Sequence, residues 1–166
     1  MAMTVSDALA AIALLVSIAS AVFSYKAHRE TTRANERESR REFGRERSEF
    51  LVRIEKSQKL FDRVSHRIAS LLAQIDSQPD AVKASLNKEV DQLKRDKDYL
   101  EGCLRQANSL WHENFDMSHD GLAYHKPRHL GLLENDEEFS AKALERADAA
   151  EVALSRALAI FQPINS

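Results

Sequence analysis

From Phe43 onward the apolar residues of this chain recur at alternating spacings of four and three. The positions are 43, 47, 50, 54, 57, 61, 64, 68, 71 and 75, and they read Phe, Arg, Phe, Ile, Ser, Phe, Val, Ile, Leu, Ile. A helix keeps one stripe on one side at this period, so the stripe must be buried against other helices. Arg47 and Ser57 are polar members of the seam, and such residues set register or partner number more than they add stability. The pattern stops at Asp76-Ser77-Gln78-Pro79, where Asp76 or Ser77 can cap and Pro79 suits the first turn of a new helix.

A second seam follows at Leu86, Val90, Leu93, Lys97, Leu100, Leu104, Ala107 and Trp111. Residues 43–76 and 79–112 have matching lengths and a short join, which predicts an antiparallel hairpin. Cys103 lies beside this seam and reads as a small buried hydrophobe. A last helix is expected over 135–162, capped by Asn135 or Asp136 and acidic in its first turn through Glu137 and Glu138. Leu144, Ala147, Leu154, Leu158 and Phe161 share its face, with Ala143 and Ala150 beside it. The bundle therefore occupies residues 43–162 and is all-α, an antiparallel coiled coil extended to three helices. Only 4 Gly and 3 Pro in 166 residues exclude the many turns of a sandwich or barrel, and 1 Cys excludes an intrachain disulfide framework.

Two segments precede the bundle. Ala8 to Tyr25 carries no charge and, as a helix, spans about 27 Å, close to the hydrocarbon core of a bilayer. It predicts a single transmembrane helix over 8–25. A signal peptide is disfavoured because residues 1–7, MAMTVSD, contain no Lys or Arg. Lys26, Arg29, Arg33, Arg37, Arg40, Arg41 and Arg45 follow the run, and none precedes it. By the positive-inside rule, residues 1–7 face outward and the helical domain is cytoplasmic. Ala10, Ala13, Ser17, Ser20 and Ser24 line one side of the run and form a candidate span-association face. Residues 26–42 hold almost nothing to bury and read as a charged helical stalk about 25 Å long. Its first basic residues, Lys26, Arg29 and Arg33, flank the membrane and can meet anionic headgroups.

The remaining segment, 113–134, is expected as a connection far longer than the usual 2–8 residues between bundle helices. His112, His119, His125 and His129 make four of the chain's 6 histidines fall within or beside it. Pro127 undermines a helix that would align His125 with His129. Asp116 to Gly121 opens like a calcium loop, but the twelfth position is Pro127, where a bidentate Glu is required. Antiparallel geometry returns this segment to the stalk end of the bundle. Phe115, His119, Tyr124, His125, Lys126, Arg128 and His129 are therefore the candidate partner-binding residues, with a structural cap as the alternative role.

Charge is partitioned along the chain. Residues 26–67 carry 13 Lys and Arg against 8 Asp and Glu, and residues 68–166 carry 11 against 17. The acidic distal part argues against nucleic acid as partner. No GxSxG, phosphate-binding Gly loop, HExxH or CxxC occurs. The expectation is a membrane-anchored scaffold without catalytic activity, cofactor, metal or small-molecule substrate. Its partners would be the lipid bilayer and a protein, or copies of itself through the coiled coil. The alternatives are an exterior-facing coiled-coil protein, a span-oligomerising pore or lysis protein, and a histidine-loop sensor.

Overall fold

The computed structural model describes residues 5–161, with side-chain surroundings from residue 13. The described chain is all-helical: α1 Val5–Asp76, α2 Asp80–Ser85, α3 Asn87–Phe115 and α4 His119–Phe161. It divides into two compact units, Met1–Glu46 and Arg47–Ser166.

The first unit is the N-terminal part of α1. Its large apolar side chains from Leu14 to Tyr25 are exposed, with Phe23 at 74% and Leu15 at 66%, and so is the small face of Ala13, Ser17, Ser20 and Ser24 opposite them. Residues 26–42 are exposed throughout, as a helix with nothing to bury must be. Thr31 and Thr32 satisfy their hydroxyls on the carbonyls of Ala27 and His28, one turn back. Among the described residues no helix is long and apolar enough to cross a membrane. The expected span 8–25 falls partly outside them, since the surroundings of residues 8–12 are not described.

The second unit is a helical bundle built on the remainder of α1. Phe50, Ile54, Ser57, Phe61, Val64, Ile68, Leu71 and Ile75 are all buried, so eight of the seam positions form the core, while Phe43 and Arg47 are half-buried. Each large apolar side chain removed from water there contributes roughly 1.5–3 kcal/mol. Pairings fix the direction of the other helices. Arg53 bonds Glu137, and Arg67 bonds Glu151, both across an offset of 84 residues, so α4 runs parallel to α1. Gln58 reaches Asn108, and Arg47 donates to the Phe115 carbonyl, so α3 runs antiparallel to α1. The order is up, down, up.

α1 ends at Asp76, where Ser77 Oγ donates to the Gln74 carbonyl at 2.7 Å. The second hairpin helix differs from the continuous 79–112 helix expected. Pro79 sits outside the first turn with ψ 149°, and the helix breaks at Leu86, whose φ is −113°. The break buries Val82 and Leu86 together over the far end of the core, and the Leu86 amide bonds Lys83 in a tightened last turn.

The phase of α3 also differs. Its buried positions are Leu93, Asp96, Leu100, Cys103, Ala107, Leu110 and Asn114, whereas Val90, Lys97, Leu104 and Trp111 are half-buried. A helix with two neighbours buries a stripe wider than a two-stranded seam. The shared positions 93, 100 and 107 carry both readings, and the second neighbour, α4, selects which side of them is covered.

The largest correction is α4. The expected connection 113–134 does not exist: residues 116–118 turn the chain, and α4 is helical from His119 through Phe161. Ser118 supplies the cap, its Oγ accepting from the Gly121 amide at 3.3 Å. Gly121 lies against Met117, whose Cγ would stand 2.8 Å from an added Cβ, so a side chain there would press on the turn. Asn135 and Asp136 are therefore mid-helix rather than caps, and Asp136 is buried. The buried positions of α4 run at heptad spacing: Leu122, His129, Asp136, Ala143, Ala150 and Ala157, interleaved with Leu133, Ser140, Ala147 and Leu154. Leu144 and Phe161 are instead 39% and 48% exposed. Pro127 stays inside the helix at an exposed position, and Ala123, whose carbonyl the missing N–H would have bonded, is also an exposed residue. Interior Pro still costs about 3 kcal/mol relative to Ala. Packing of Leu122, His129 and Leu133 on either side of it offsets that penalty.

Two measurements check this fold. Phe61→Ala should lower the stability of the bundle by about 3–5 kcal/mol in denaturant melts. Pro127→Ala should raise it by roughly 1–3 kcal/mol, whereas residues in a loose connection would respond weakly or lose stability.

Candidate functional site

The turn between α3 and α4 forms an elbow at the Arg47 end of the bundle, and it gathers most of the residues singled out in 113–134. Phe115 is 47% exposed and Tyr124 80% exposed. Trp111 stacks on Phe115 with centroids 5.1 Å apart, and Tyr124 meets His125 edge-on at 4.9 Å. His119 and Arg128 are exposed, and His125 and Lys126 are half-buried.

His129 departs from this set. It is buried, with Phe50 stacked at 6.3 Å on one side and His125 at 5.6 Å. Its Nδ1 lies 3.2 Å from Asn114 Nδ2, on the buried face of α3. It cannot therefore be part of an outward-facing binding surface. His125 and His129 are aligned by a helix after all, because Pro127 does not break α4. Burial, more than the nearby His125 and Arg128 charges, holds His129 below the ordinary histidine value, while Glu113 acts the other way.

The calcium-like segment is also resolved by geometry. Asp116 to Ser118 form the turn, but Gly121 is already within α4, so the sharp loop turn that this glycine would supply is missing. Among the described residues no group of three or more His, Cys, Asp or Glu side chains is arranged to hold a metal ion.

Two polar clusters between helices were not singled out by the sequence pattern. In the first, Asp96 on α3 is buried and receives Arg146 from α4 through two bonds, Nε at 2.6 Å and Nη2 at 2.9 Å, plus Gln92 at 2.8 Å. Arg146 also lies 5.4 Å over the Phe139 ring, which packs on Tyr99 at 4.0 Å. Tyr99 donates to Asp136 at 3.2 Å. Burial raises the Tyr99 phenol, and the Asp136 charge adds to the effect. The same two causes push the Cys103 thiol up to about 12, so it stays protonated and inert as the small hydrophobe the seam implies.

In the second cluster Ser57, a polar member of the α1 seam, donates to Glu137 Oε1 at 2.6 Å. Arg53 holds the other oxygen of the same carboxylate at 2.5 Å. Both clusters are ties between helices with their polar groups turned on one another. A signal for the first lies in α4's heptad phase, which places Asp136 in a core position once the helix is known to be continuous.

Of the candidate span face, Ala13, Ser17, Ser20 and Ser24 are exposed, as are Lys26, Arg29 and Arg33; Ala10 lies outside the residues whose surroundings are described. The chain matches no protein-family model, no curated protein and no solved structure.

The Asp96–Arg146 tie generates a contrast. Arg146→Ala leaves a buried carboxylate unpaired and should destabilise the bundle by about 3–5 kcal/mol. Replacing both partners with apolar residues of similar size, as in Asp96→Leu with Arg146→Met, should recover most of that loss in the same melts.

Proposed function

We propose that this protein is a membrane-tethered scaffold without catalytic activity, in which an N-terminal span locates a three-helix bundle that binds protein partners. The observation that carries the reading is the apolar part of α1. From Leu14 to Tyr25 it exposes Leu14, Leu15, Val16, Ile18, Val22, Phe23 and Tyr25, which cover more than half of the helix, and Ala13, Ser17, Ser20 and Ser24 leave the remaining side small and uncharged. An uncharged helix that exposes so broad an apolar surface belongs in a core or in lipid. With Ala8 to Ile12 it makes an uncharged stretch of spanning length. The basic residues that follow set the bundle on the cytoplasmic side.

The use of polar groups supports the absence of catalysis. Asp96, Arg146, Ser57, Glu137 and Asn114 are turned toward other helices and bonded there. The elbow offers partners a different chemistry: exposed Phe115 and Tyr124 beside Arg128 and His119. Aromatic and Arg side chains supply most of the affinity at protein interfaces.

Reporter fusions after Ser166 test the reading. A reporter active only in the cytoplasm should work, and one that requires export should stay silent. The protein should remain with membranes through alkaline carbonate extraction. Release into the supernatant, or activity of the exported reporter, contradicts the tether or its orientation. Tyr124→Ala with Phe115→Ala should then reduce crosslinked partners in those membranes, leaving the melting of the bundle nearly unchanged.

A further inference from the structure

The elbow contains a buried polar pair that its surroundings do not fully satisfy. Asn114 is completely buried. Its Nδ2 donates to the Leu110 carbonyl at 2.7 Å and faces His129 Nδ1 at 3.2 Å. Its Oδ1 is buried with no hydrogen-bond partner. An amide nitrogen only donates, so His129 accepts at Nδ1 and carries its proton at Nε2.

We propose that Asn114 and His129 form an acid-released latch that holds the first turns of α4 against α1 and α3. A second proton on the ring converts Nδ1 from acceptor to donor, and it then opposes the Asn114 amine. Turning the amide over would bring Oδ1 to the imidazolium. It would also deprive the Leu110 carbonyl of its side-chain donor and move a buried NH2 to where Oδ1 now lacks a partner. Neither orientation satisfies the protonated pair, and a buried unsatisfied donor destabilises the closed state.

The surrounding charges favour release. From α4, His125 and Arg128 oppose a positive charge on the His129 ring, and from α3 Glu113 attracts it. α1 presents the uncharged Phe50 ring, with Arg47 bonded to the Phe115 carbonyl and Arg53 to Glu137. Burial is the largest influence and holds His129 below 6.5. The released elbow therefore takes up the proton more readily than the closed one. The latch is at full strength above the ordinary histidine value and weakens as pH falls through the lowered closed-state value. This inference is independent of the membrane tether.

The chain's 1 Trp, Trp111, reports on the elbow because it stacks on Phe115. In the full-length purified protein its emission should shift to the red as pH falls from about 7.5 to about 5, the range in which histidine switches charge. The midpoint should lie below 6.5. His129→Phe should abolish the transition. His112→Gln should leave it in place, although His112 touches Trp111 edge-on at 5.3 Å. Persistence of the shift in His129→Phe, or its loss in His112→Gln, overturns the latch. Nuclear magnetic resonance titration of the His129 ring in the unsubstituted protein decides the matter if His129→Phe folds poorly. An Nε2–H tautomer titrating below 6.5 supports the latch, and titration at or above that value overturns it.

Discussion

Burial of the α1 seam from Phe50 to Ile75 is the interaction on which the rest of the bundle depends. One helix cannot remove that stripe from water, and a single partner would leave its flanks wet. Two partners close it. α3 approaches antiparallel and α4 parallel, and α4 does so through small residues. At the 84-residue offset, Phe61, Val64 and Ile68 lie level with the stretch of α4 that carries Ala143, Ala147 and Ala150. Large side chains on one helix thus meet small ones on another, which is how a close-packed interior is filled without voids.

Apolar packing of Ala against Phe, Val and Ile has little directional preference, so it does not fix where α4 stops along α1. The polar groups between the helices do. Ser57 and Arg53 share one carboxylate of Glu137, and Asp96 holds Arg146 by two bonds. A slide of one heptad would part Ser57 and Arg53 from Glu137 and leave the buried Asp96 carboxylate without Arg146, a penalty above the roughly 1–3 kcal/mol of a neutral buried group. Asn114 and His129 belong to the same system at the elbow, but their satisfaction is incomplete and depends on protonation. Register and acid sensitivity thus come from one kind of residue, the polar member of an apolar seam.

The hairpin was legible in the sequence because the 4–3 spacing of α1 is long and uninterrupted, and Asp76 to Pro79 end it with strong local signals. The phase of α3 was not, because positions 93, 100 and 107 fit two neighbouring stripes and only the third helix distinguishes them. α4 was hidden by three local features that pointed the wrong way. Pro127 reads as a breaker, Asn135-Asp136-Glu137-Glu138 reads as a helix start, and polar residues at core positions interrupt the apolar count. Each is overridden by tertiary packing: Pro127 faces solvent, Asp136 finds Tyr99, and His129 finds Asn114. The candidate residues of 113–134 lie around the elbow, but their division into exposed aromatics and a buried histidine required the helix to be continuous.

The parallel register of α1 and α4 is the claim that everything above shares, and thiol crosslinking tests it most directly. With Cys103 replaced by Ala, cysteines at Arg67 and Glu151 should be joined within one chain by a short bifunctional reagent. Cysteines at Arg67 and Glu137 should not, since 14 helical residues separate Glu137 from Glu151, about 21 Å. Efficient intrachain crosslinking of the second pair, with none of the first, would contradict the register and with it the buried positions of Ser57, His129 and Asp136.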